Sequence, residues 1–438
     1  MKMKPINVGL LGIGTVGGGT WEVLARNGDE IRRRAGRAIR IVRVADKDLR
    51  KARKLVKGKA AVSADAFQVV RAPDVEIVVE LIGGTTVARE LVMEAIRQGK
   101  HVVTANKALL ARHGNAIFAA ARKKGVMVAF EAAVAGGVPI IKALREGLTA
   151  NRIEWIAGII NGTSNFILSE MRDKGISFAE ALADAQKRGY AEADPTFDIA
   201  GVDAAHKLTI LSALAFGTPM QFGKCSTEGI QALTSADIAY AEELGYRIKL
   251  LGITKNTGKG IELRVHPTLV PVRRLIANVE GVMNAILVKG DAVGATLYYG
   301  AGAGSLPTAS AVVADLVDVT RLITADPEHR VPHLAFQPDS LSDAPILPMD
   351  EVVTCCYLRM RVLDKPGVLS RITRILAESK ISIEAMVQKE AGAGEPSVDI
   401  VMVTHRALER NVDRAIARIE KLPTVVEPVT RIRLESLL

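Results

Sequence analysis

Four carboxylates and one lysine crowd a short stretch of this 438-residue chain, and their spacing can support proton chemistry. The carboxylates are Glu192, Asp194, Asp198 and Asp203, and the lysine is Lys207. Residues four apart share a face of a helix, so Asp203 and Lys207 are predicted to point the same way from a helix that begins near Asp198. An acid and an ammonium group directed into a pocket can hold a small zwitterion and move a proton. The alternative is a surface ion pair at a helix start, worth about 0–1 kcal/mol.

A glycine-rich turn near the amino terminus has the sequence environment of a dinucleotide-binding site. Residues 6–11 form a nearly continuous apolar run, typical of a buried parallel strand, and a helical pattern follows the turn. Gly12 permits the tight turn, Gly14 lets a pyrophosphate approach the backbone, and Gly17 lets helix and strand pack closely. The residues predicted to bind cofactor here are Gly12, Ile13, Gly14, Thr15, Val16 and Gly17. A purely structural glycine turn is the alternative.

The residues around the end of the second strand, at 39–45, bear on the choice between NAD and NADP. An acid at this position, Asp46, favours the ribose 2′-hydroxyl of NAD. Basic neighbours favour the 2′-phosphate of NADP, and Arg43, Lys47 and Arg50 are such neighbours. Both signals are present, and together they slightly favour NADP, with Arg43 predicted as a cofactor ligand.

Strands and helices alternate through the first 130 residues, which predicts a Rossmann-type, doubly wound parallel sheet. Ligands bind at the carboxyl ends of the strands in such a sheet. Two polar turns stand at those ends, at 83–86 and 104–107. We therefore predict that Thr85, Thr86 and Lys107 contact cofactor and that Lys107 also reaches the substrate. A structural role for Lys107 is equally compatible with the pattern.

The chain beyond residue 130 predicts an α+β part with a mixed, largely antiparallel sheet. Residues 131–139 are rich in glycine, so exposed carbonyls near Glu131 could coordinate a monovalent cation, or the segment could be a hinge. Farther along, Thr163 or Ser164 is predicted to cap a helix, and free amides at Gly162 and Thr163 could bind a carboxylate.

The carboxyl-terminal part predicts a ferredoxin-like module with the element order βαββαβ. A segment rich in proline precedes this module and is predicted to be a linker. The predicted organisation is a dinucleotide-binding domain over 1–130, completed by a helix over 305–330, a catalytic and dimerisation domain over 131–304, a linker over 331–351 and the module over 352–438.

Composition and charge restrict the class of protein. The net charge is +10, but the basic residues are dispersed and aromatic residues make up 4%, so nucleic-acid binding is not expected. A dinucleotide or another small anion accounts for the positive charge. The three cysteines have no CxxC spacing, and no run of about 18 apolar residues occurs. These features predict a soluble protein of the reducing cytoplasm, without a membrane partner.

Taken in order, the motifs resemble those of homoserine dehydrogenases over roughly residues 5–325. The matching blocks are GxGxxG at 12–17, TANK at 104–107, EAAVAGGVP at 131–139, GIINGTSNFIL at 158–168, GYAEADPTFDIAGVDAAHKL at 189–208 and GAGAG at 300–304. The acid–lysine block is highly specific, whereas GxGxxG is not. The resemblance implies reversible NAD(P)H-dependent reduction of L-aspartate 4-semialdehyde to L-homoserine, a step towards threonine and methionine. It also implies a homodimer or a homotetramer.

The resemblance assigns roles to individual residues. It implies that Lys207 is the proton donor, that Asp203 and Glu192 bind homoserine, and that Lys107 lies at cofactor and substrate. Two glycines match positions that touch the nicotinamide cofactor, Gly189 and Gly302. The residues implied to bind sodium are Glu131, Val134, Gly136 and Val138.

The chain departs from the family pattern at one place in the acidic block. Homoserine dehydrogenases usually have Arg and Asp where this chain has Thr196 and Phe197. Asp198 is retained and is expected to bind substrate, so little catalytic consequence is expected from the change.

The module over 352–438 resembles an ACT domain, whose strand–DKPGVL–helix start typically holds an amino acid near the glycine. The resemblance implies feedback control with threonine as the effector, contacted by Gly367, Val368 and Leu369. A dimerisation module without a ligand is the alternative.

Two other functions are compatible with parts of the sequence. A thioester-forming semialdehyde dehydrogenase needs a nucleophilic cysteine, and Cys225 lies in a helix–loop region outside the predicted crevice. A non-catalytic nucleotide-sensing regulator would leave the acid–lysine stretch without a function. An NADPH assay with homoserine distinguishes the regulator from the dehydrogenase.

Overall fold

The computed structural model describes residues 3–327, 330–390 and 395–437. The strands are β1 (Ile6–Leu11), β2 (Ile39–Ala45), β3 (Ala61–Ser63), β4 (Ile77–Glu80), β5 (His101–Thr104), β6 (Val128–Ala129), β7 (Ile153–Ile159), β8 (Ser226–Thr227), β9 (Tyr246–Asn256), β10 (Ile261–Pro271), β11 (Met283–Gly290), β12 (Gly294–Ala301), β13 (Val353–Leu363), β14 (Ile383–Gln388), β15 (Ser397–Thr404), β16 (Ala407–Leu408) and β17 (Thr430–Leu434). The α-helices are α1 (Thr15–Arg26), α2 (Gly28–Ala35), α3 (Leu49–Val56), α4 (Ala66–Arg71), α5 (Val87–Arg97), α6 (Lys107–Lys124), α7 (Ile140–Lys142), α8 (Gly162–Lys174), α9 (Phe178–Lys187), α10 (Thr196–Ile199), α11 (Val202–Phe216), α12 (Ser235–Glu243), α13 (Ser305–Leu322), α14 (Val368–Glu378) and α15 (Glu409–Ile419). None of the helices in these described ranges is both long enough and apolar enough to cross a membrane.

The chain forms two compact units, each built from three segments. The first unit comprises Met1–Gly162, Asp203–Gly223 and Val282–Ala344. The second unit comprises Thr163–Val202, Lys224–Gly281 and Pro345–Leu438.

The first unit contains the predicted doubly wound parallel sheet, which confirms that part of the fold class. Its strand order is β3-β2-β1-β4-β5-β6, and every neighbouring pair is parallel. The chain changes direction across the sheet between β1 and β4, where ligands bind in sheets of this kind. The strands are almost continuously apolar because helices cover both faces of the sheet.

Helix α13 completes the core of this sheet, because it has apolar residues on two faces. Val312 and Leu316 pack with the strand residues, whereas Ala309 and Val313 pack against α1 and α2. The helix ends at Leu322 rather than at the predicted residue 330. A proline disfavours helical backbone at the residue before it, and Pro327 follows shortly after the helix end. Residues 328 and 329 of the predicted helix lie outside the described residues.

The first unit also holds three antiparallel strands and the helix of the acid–lysine pair. β7 pairs with β11, and β11 pairs with β12, both in antiparallel register. Helix α11 is buried along nearly all of its length, which its apolar residues between positions 204 and 215 explain.

The second unit contains a mixed sheet with the order β9-β10-β17-β13-β15-β14. β9 and β10 are antiparallel, and β17 runs parallel to β10. The last four of these strands, with α14 and α15, have the predicted ferredoxin-like order βαββαβ. Residues 391–394 and 438 of the predicted module lie outside the described part of the chain.

The segment predicted as a linker, 331–351, packs against its surroundings. His333 Nε2 accepts a hydrogen bond from Val128 N at 3.1 Å within the first unit. Pro345 O accepts one from Ile261 N at 2.8 Å within the second unit. Two short 3₁₀ turns, Pro338–Ser340 and Met349–Glu351, interrupt its extended backbone.

Candidate active site

The glycine turn after β1 is open at one glycine and closely packed at the other two. Gly12 has a φ of 89°, and a Cβ there would lie 2.8 Å from Leu81 O. A Cβ on Gly17 would lie 2.0 Å from Gly12 O, whereas a Cβ on Gly14 would meet nothing within 4 Å. Helix α1 begins beyond Gly14, and no side chain caps its first amides. A dinucleotide pyrophosphate therefore fits this turn.

The acid after β2 stabilises the glycine turn itself. Asp46 Oδ2 accepts a hydrogen bond from Ile13 N at 2.7 Å, and Asp46 Oδ1 accepts one from Asp48 N at 2.8 Å. Arg43 Nε donates to Asp74 Oδ1 at 2.7 Å, which holds the pKa of Asp74 below its usual range. The cofactor role of Arg43 stays a prediction, and its partly exposed guanidinium binds an acid that precedes β4.

The turns after β4 and β5 place the other predicted cofactor residues at the carboxyl edge of the sheet. Thr85 and Thr86 immediately precede α5, and Lys107 is the first residue of α6. Asn106 caps α6, because its Oδ1 accepts from Leu109 N at 3.0 Å. Since the strands are parallel, these turns lie at the same edge as the glycine turn.

Asp203, at the start of α11, is in contact with both predicted lysines. Lys207 Nζ donates to Asp203 Oδ2 at 2.6 Å, and Lys107 Nζ lies 3.1 Å from Asp203 Oδ1. Asp203 is only 3% exposed and Lys207 only 8%, which contradicts the alternative of a surface ion pair. Burial alone would raise the pKa of Asp203, but the charges of Lys207 and Lys107 hold that pKa well below its usual range. The carboxylate therefore stays ionised between two ammonium groups.

The end of β7 supplies two further contacts to this cluster, one of which sequence analysis missed. Asn161 Nδ2 donates to Asp203 Oδ2 at 2.9 Å, and Lys207 Nζ donates to Ile160 O at 2.7 Å. Asn161 is buried. A polar residue directly after an apolar strand was a usable signal for it. We name Asp203, Lys207, Lys107 and Asn161 the acid–lysine cluster.

Thr163 and Ser164, in the second unit, do not form the predicted helix cap. Helix α8 already begins at Gly162, so neither residue occupies the capping position. Thr163 Oγ1 donates to Tyr190 O at 2.7 Å, and Ser164 Oγ donates to Asp198 O at 3.1 Å. These hydroxyl groups therefore tether the acidic segment to α8.

The acidic segment of the second unit is largely exposed. Glu192 is exposed, and its carbonyl oxygen accepts from Gln186 Nε2 at 3.1 Å. Asp194 Oδ1 accepts from Thr196 N at 3.1 Å, which organises the turn before α10. Gly189 has a φ of 74°, and a Cβ there would meet nothing within 4 Å, so its backbone is accessible to a ligand.

The segment predicted to bind sodium contains a buried acid. Glu131 is 2% exposed, and its carboxylate accepts from Ile141 N at 2.9 Å and from Lys142 N at 2.8 Å. Glu131 N donates to Asp315 Oδ2 at 2.8 Å. Burial, together with the charge of Glu131, raises the pKa of Asp315 to about 8.

The other predicted sodium residues lie in a loop that contacts the glycine-rich segment at 300–304. A Cβ on Gly136 would lie 2.6 Å from Gly302 O, and Gly137 N donates to Ala301 O at 3.0 Å. Among the described residues, no group of three or more His, Cys, Asp or Glu side chains could hold a metal ion. A cation here would use the carboxylate of Glu131 and backbone carbonyls such as those of Val134 and Val138, and such oxygen ligands suit a hard cation.

The predicted effector residues lie at the start of α14 in the second unit. Gly367 has a φ of 83° and precedes the helix, which no side chain caps. Val368 is buried, and Leu369 is half-buried against the core of this module.

Cys225 lacks the environment of a nucleophile. Burial raises the pKa of its thiol to about 12, although Thr227 Oγ1 approaches the sulfur at 3.8 Å. A thiol with so high a pKa is protonated at neutral pH and reacts slowly. A thioester mechanism through this residue is therefore disfavoured.

The parallel sheet, its open glycine turn and the buried acid–lysine cluster define a nicotinamide-dependent dehydrogenase. Family models agree with this class: the homoserine dehydrogenase NAD-binding domain matches residues 12–131, and the homoserine dehydrogenase model matches 139–317. The ACT domain model matches residues 357–424. The chain belongs to the homoserine dehydrogenase family and is an oxidoreductase.

Several homoserine dehydrogenases are similar to this chain over its full length. The homoserine dehydrogenases of Pseudomonas aeruginosa and Neisseria gonorrhoeae are 62% and 61% identical over 435 residues, which span 99% of this chain and 100% of each relative. A crystal structure of a homoserine dehydrogenase from Thiobacillus denitrificans is 70% identical, with a TM-score of 0.96 and full coverage of both chains. A hyperthermophilic archaeal homoserine dehydrogenase solved with NADPH is 25% identical, with a TM-score of 0.62, and matches 72% of this chain and 98% of its own.

Proposed function

We propose that the acid–lysine cluster catalyses the reversible reduction of L-aspartate 4-semialdehyde to L-homoserine, with Lys207 as the proton donor. The nicotinamide cofactor, when bound, supplies the hydride to the aldehyde carbon. Negative charge then develops on the aldehyde oxygen, and the ammonium of Lys207 stabilises this oxygen and transfers a proton to it. In the direction of homoserine oxidation the same amine accepts the hydroxyl proton.

The observation that carries this proposal is the burial of Lys207 between Asp203 Oδ2 and Ile160 O. These contacts fix the ammonium, so its proton has a defined position. Asp203 also holds Lys107, which begins α6 at the carboxyl edge of the parallel sheet, where cofactors bind. The cluster is therefore joined to the cofactor-binding edge within one compact unit.

The substrate is an amino acid, and charged residues are proposed for both of its ionic groups. Glu192, Asp198 and Asp203 are proposed to bind it, with the first and last of these acids neutralising its ammonium group. Lys107 and the amides of Gly162 and Thr163 are proposed to bind its carboxylate.

The cofactor is proposed to be NADP, with NAD as the second candidate. Both carboxylate oxygens of Asp46 accept backbone hydrogen bonds, which supports a site that does not depend on this acid for the 2′-hydroxyl. The exposed neighbours Lys47 and Arg50 favour a 2′-phosphate. The values of kcat/KM for NADH and NADPH decide between them. The residues proposed to contact cofactor are Gly12, Ile13, Gly14, Thr15, Val16, Gly17, Arg43, Thr85, Thr86, Lys107, Gly189 and Gly302.

A sodium ion is proposed to bind at Glu131, Val134, Gly136 and Val138. The buried acids Glu131 and Asp315 support this proposal, because a cation would stabilise the ionised forms that burial disfavours. Titration with sodium chloride against choline chloride, followed by thermal unfolding, tests whether the ion stabilises the fold.

Threonine is proposed as an effector bound near Gly367, Val368 and Leu369. The substitution Gly367→Ala has steric room, since a Cβ there would meet nothing within 4 Å, but it strains a backbone with a φ of 83°. It is expected to weaken threonine inhibition of the full-length enzyme. If threonine leaves the wild-type rate unchanged, the regulatory proposal is refuted, and the module is the dimerisation module considered above.

Several broader assignments complete the proposal. The chain is proposed to act in threonine and methionine biosynthesis, in the cytoplasm, as a homodimer or homotetramer that sedimentation would distinguish. The proposed domains are 1–130, completed by the helix predicted over 305–330, then 131–304 and 352–438, with the linker 331–351 before the last of them.

The decisive experiment follows NADPH formation from homoserine spectrophotometrically. Lys207→Ala is expected to lower turnover by about 10²- to 10⁴-fold while cofactor binding stays near normal, because only proton transfer is lost. Lys100→Met is the matched control, since Lys100 is another buried lysine of the first unit whose ammonium donates to the backbone, at 3.0 Å from Val75 O. Retained turnover in Lys207→Ala would assign the proton transfer to another group.

A further inference from the structure

We propose that Glu80 is a positioning residue that couples the cofactor turn after β4 to Lys107. The proposal rests on the proposed function, because it assigns to Glu80 a part in placing residues of that same site. Glu80 is the last residue of β4 and is 0% exposed. A buried carboxylate at the ligand-binding edge of a parallel sheet is costly unless it is fully hydrogen-bonded.

One oxygen of Glu80 shapes the turn that carries Thr85 and Thr86. Oε1 accepts from Ile82 N at 3.0 Å and from Gly83 N at 3.2 Å. Two consecutive amides therefore face one carboxylate oxygen. The backbone at Gly83 and Gly84 has left-handed φ values of 72° and 73°. Nothing else in the turn between Leu81 and Gly84 offers an anionic acceptor.

The other oxygen reaches the neighbouring strand. Thr104, the last residue of β5, lies beside Glu80 in the parallel register, and its Oγ1 donates to Glu80 Oε2 at 2.6 Å. The same hydroxyl oxygen accepts from Asn106 N at 3.0 Å. Glu80 therefore acts through Thr104 on the turn that leads into α6, where Lys107 is the first residue.

Asn106 closes the connection between the two turns. Its Nδ2 donates to Gly84 O at 2.7 Å, while its Oδ1 caps α6 through Leu109 N. The turn that carries Thr86 and the turn that carries Lys107 are thus joined twice, once through Glu80 and Thr104 and once through Asn106. Because Lys107 Nζ contacts Asp203, displacement of these turns is transmitted to the acid–lysine cluster.

The two connections predict different effects for Glu80 and Thr104. Glu80→Gln keeps the shape but loses the negative charge, so the bonds that its remaining oxygen accepts from Ile82 N and Gly83 N weaken, and its amide group must face the hydroxyl of Thr104. Both turns are then disturbed, so the KM values for NADPH and for homoserine are each expected to rise about tenfold. Thr104→Val leaves the bonds from Ile82 and Gly83 to Glu80 intact, so it is expected to raise the KM for homoserine and to raise the KM for NADPH less than Glu80→Gln does.

The experiment measures both KM values and kcat in the full-length enzyme, using the homoserine assay. Thr104→Ser restores the hydroxyl and is expected to return the KM for homoserine to the wild-type value. Glu94→Gln is the matched control, because Glu94 is another buried acid of the first unit whose carboxylate accepts from Arg71 and Gln98 and joins neither turn. Its KM values are expected to stay at the wild-type level.

The outcomes separate this inference from the proposed function. If the wild-type enzyme fails to oxidise homoserine, the proposed function is lost. Suppose instead that the wild-type enzyme is active. If Glu80→Gln then changes neither KM, or if it only lowers kcat in proportion to the folded fraction of the protein, Glu80 is structural and the inference is overturned. If Glu80→Gln does not fold, Thr104→Val with an unchanged KM for homoserine overturns it equally.

Discussion

A single carboxylate organises the chemistry at the scale of residues. Asp203 accepts hydrogen bonds from Lys207 and Asn161 and forms an ion pair with Lys107. These positive charges hold the pKa of Asp203 well below its ordinary range. A carboxylate whose pKa is this low is too weak a base to take the proton of Lys207. The proton is therefore reserved for the substrate oxygen, and the carboxylate orients the amine that carries it.

The first prediction concerns Asn161, whose amide holds the same oxygen as Lys207. Asn161→Ala removes one hydrogen bond to a charged group, worth about 1.5–3 kcal/mol, so kcat is expected to fall by about 10- to 100-fold. The measurement is the homoserine-dependent formation of NADPH. Asn115→Ala is the control, because Asn115 makes similar contacts to the backbone of Met220 and no contact to Asp203. An unchanged kcat in Asn161→Ala would mean that the two lysines, Lys207 and Lys107, suffice to orient the acid.

A second prediction tests the proposed role of Glu192 in substrate binding. Glu192→Gln removes a negative charge without changing shape, so the KM for homoserine is expected to rise about tenfold while kcat changes little. Asp194→Asn is the control on the same exposed segment, because Asn retains the acceptor that Thr196 N uses. Equal KM values for wild type and Glu192→Gln would remove this residue from the substrate site.

At the scale of elements, two buried acids join the start of the 131–139 segment to helix α13. Glu131 binds the amides that begin α7, and Asp315 of α13 binds the amide of Glu131. The segment is therefore anchored from both sides by carboxyl groups that burial makes harder to ionise. This arrangement makes the local fold sensitive to pH.

The third prediction gives the sign of that sensitivity. The pKa of Asp315 is about 8 in the folded chain and about 3.9 in the unfolded chain, so the folded state binds the proton more tightly. The stability from this group is fully present below pH 4 and is lost as pH rises towards and through 8. Asp315→Asn keeps an acceptor for Glu131 N and is expected to show a weaker loss of stability over pH 5–8, measured by urea unfolding.

Asp291→Asn is the control for this comparison. Asp291 is exposed and accepts from Arg152 N at 2.9 Å, so its replacement is expected to leave the pH slope unchanged. Parallel pH profiles for wild type and Asp315→Asn would show that Asp315 does not titrate in this range.

Sequence patterns predicted the elements well because the relevant signals are local. The glycine turn, the strand–helix alternation and the βαββαβ module each follow from spacing within about 30 residues. The contacts that were missed or wrongly predicted join distant residues. Asn161 meets an acid 42 positions away, and Thr163 donates to a carbonyl instead of capping its helix. No local pattern encodes the partner of such a side chain.

At the scale of the molecule, the ACT module shares a sheet with strands of the second unit that precede it in the chain. β17 pairs with β13 on one side and with β10 on the other. Ion pairs reinforce this seam: Arg359 Nε donates to the buried Asp237 Oδ1 at 2.7 Å, and Arg433 Nη1 donates to Oε2 of the partly exposed Glu228 at 2.8 Å. The second unit is therefore expected to unfold as one cooperative body.

The fourth prediction tests this cooperativity. Arg359→Met removes the cation that pairs with the buried carboxylate of Asp237, which keeps its hydrogen bonds from Thr234 and Tyr357, and is expected to cost about 3–5 kcal/mol. Hydrogen exchange is expected to accelerate together at the amides of β10 and β13. Arg418→Met is the control, since its partner Glu378 is exposed and such surface pairs contribute about 0–1 kcal/mol. Acceleration confined to β13 would show that the ACT module opens independently.

The position of β17 in that sheet has a consequence for biosynthesis. β17 is the last of the described strands to leave the ribosome, yet it lies between β10 and β13, which are made earlier. The two flanking strands therefore lack this shared partner until β17 has been made. A nascent chain stalled before residue 430 would expose the edges that pair with β17 to chaperones or to neighbouring chains on the same messenger RNA.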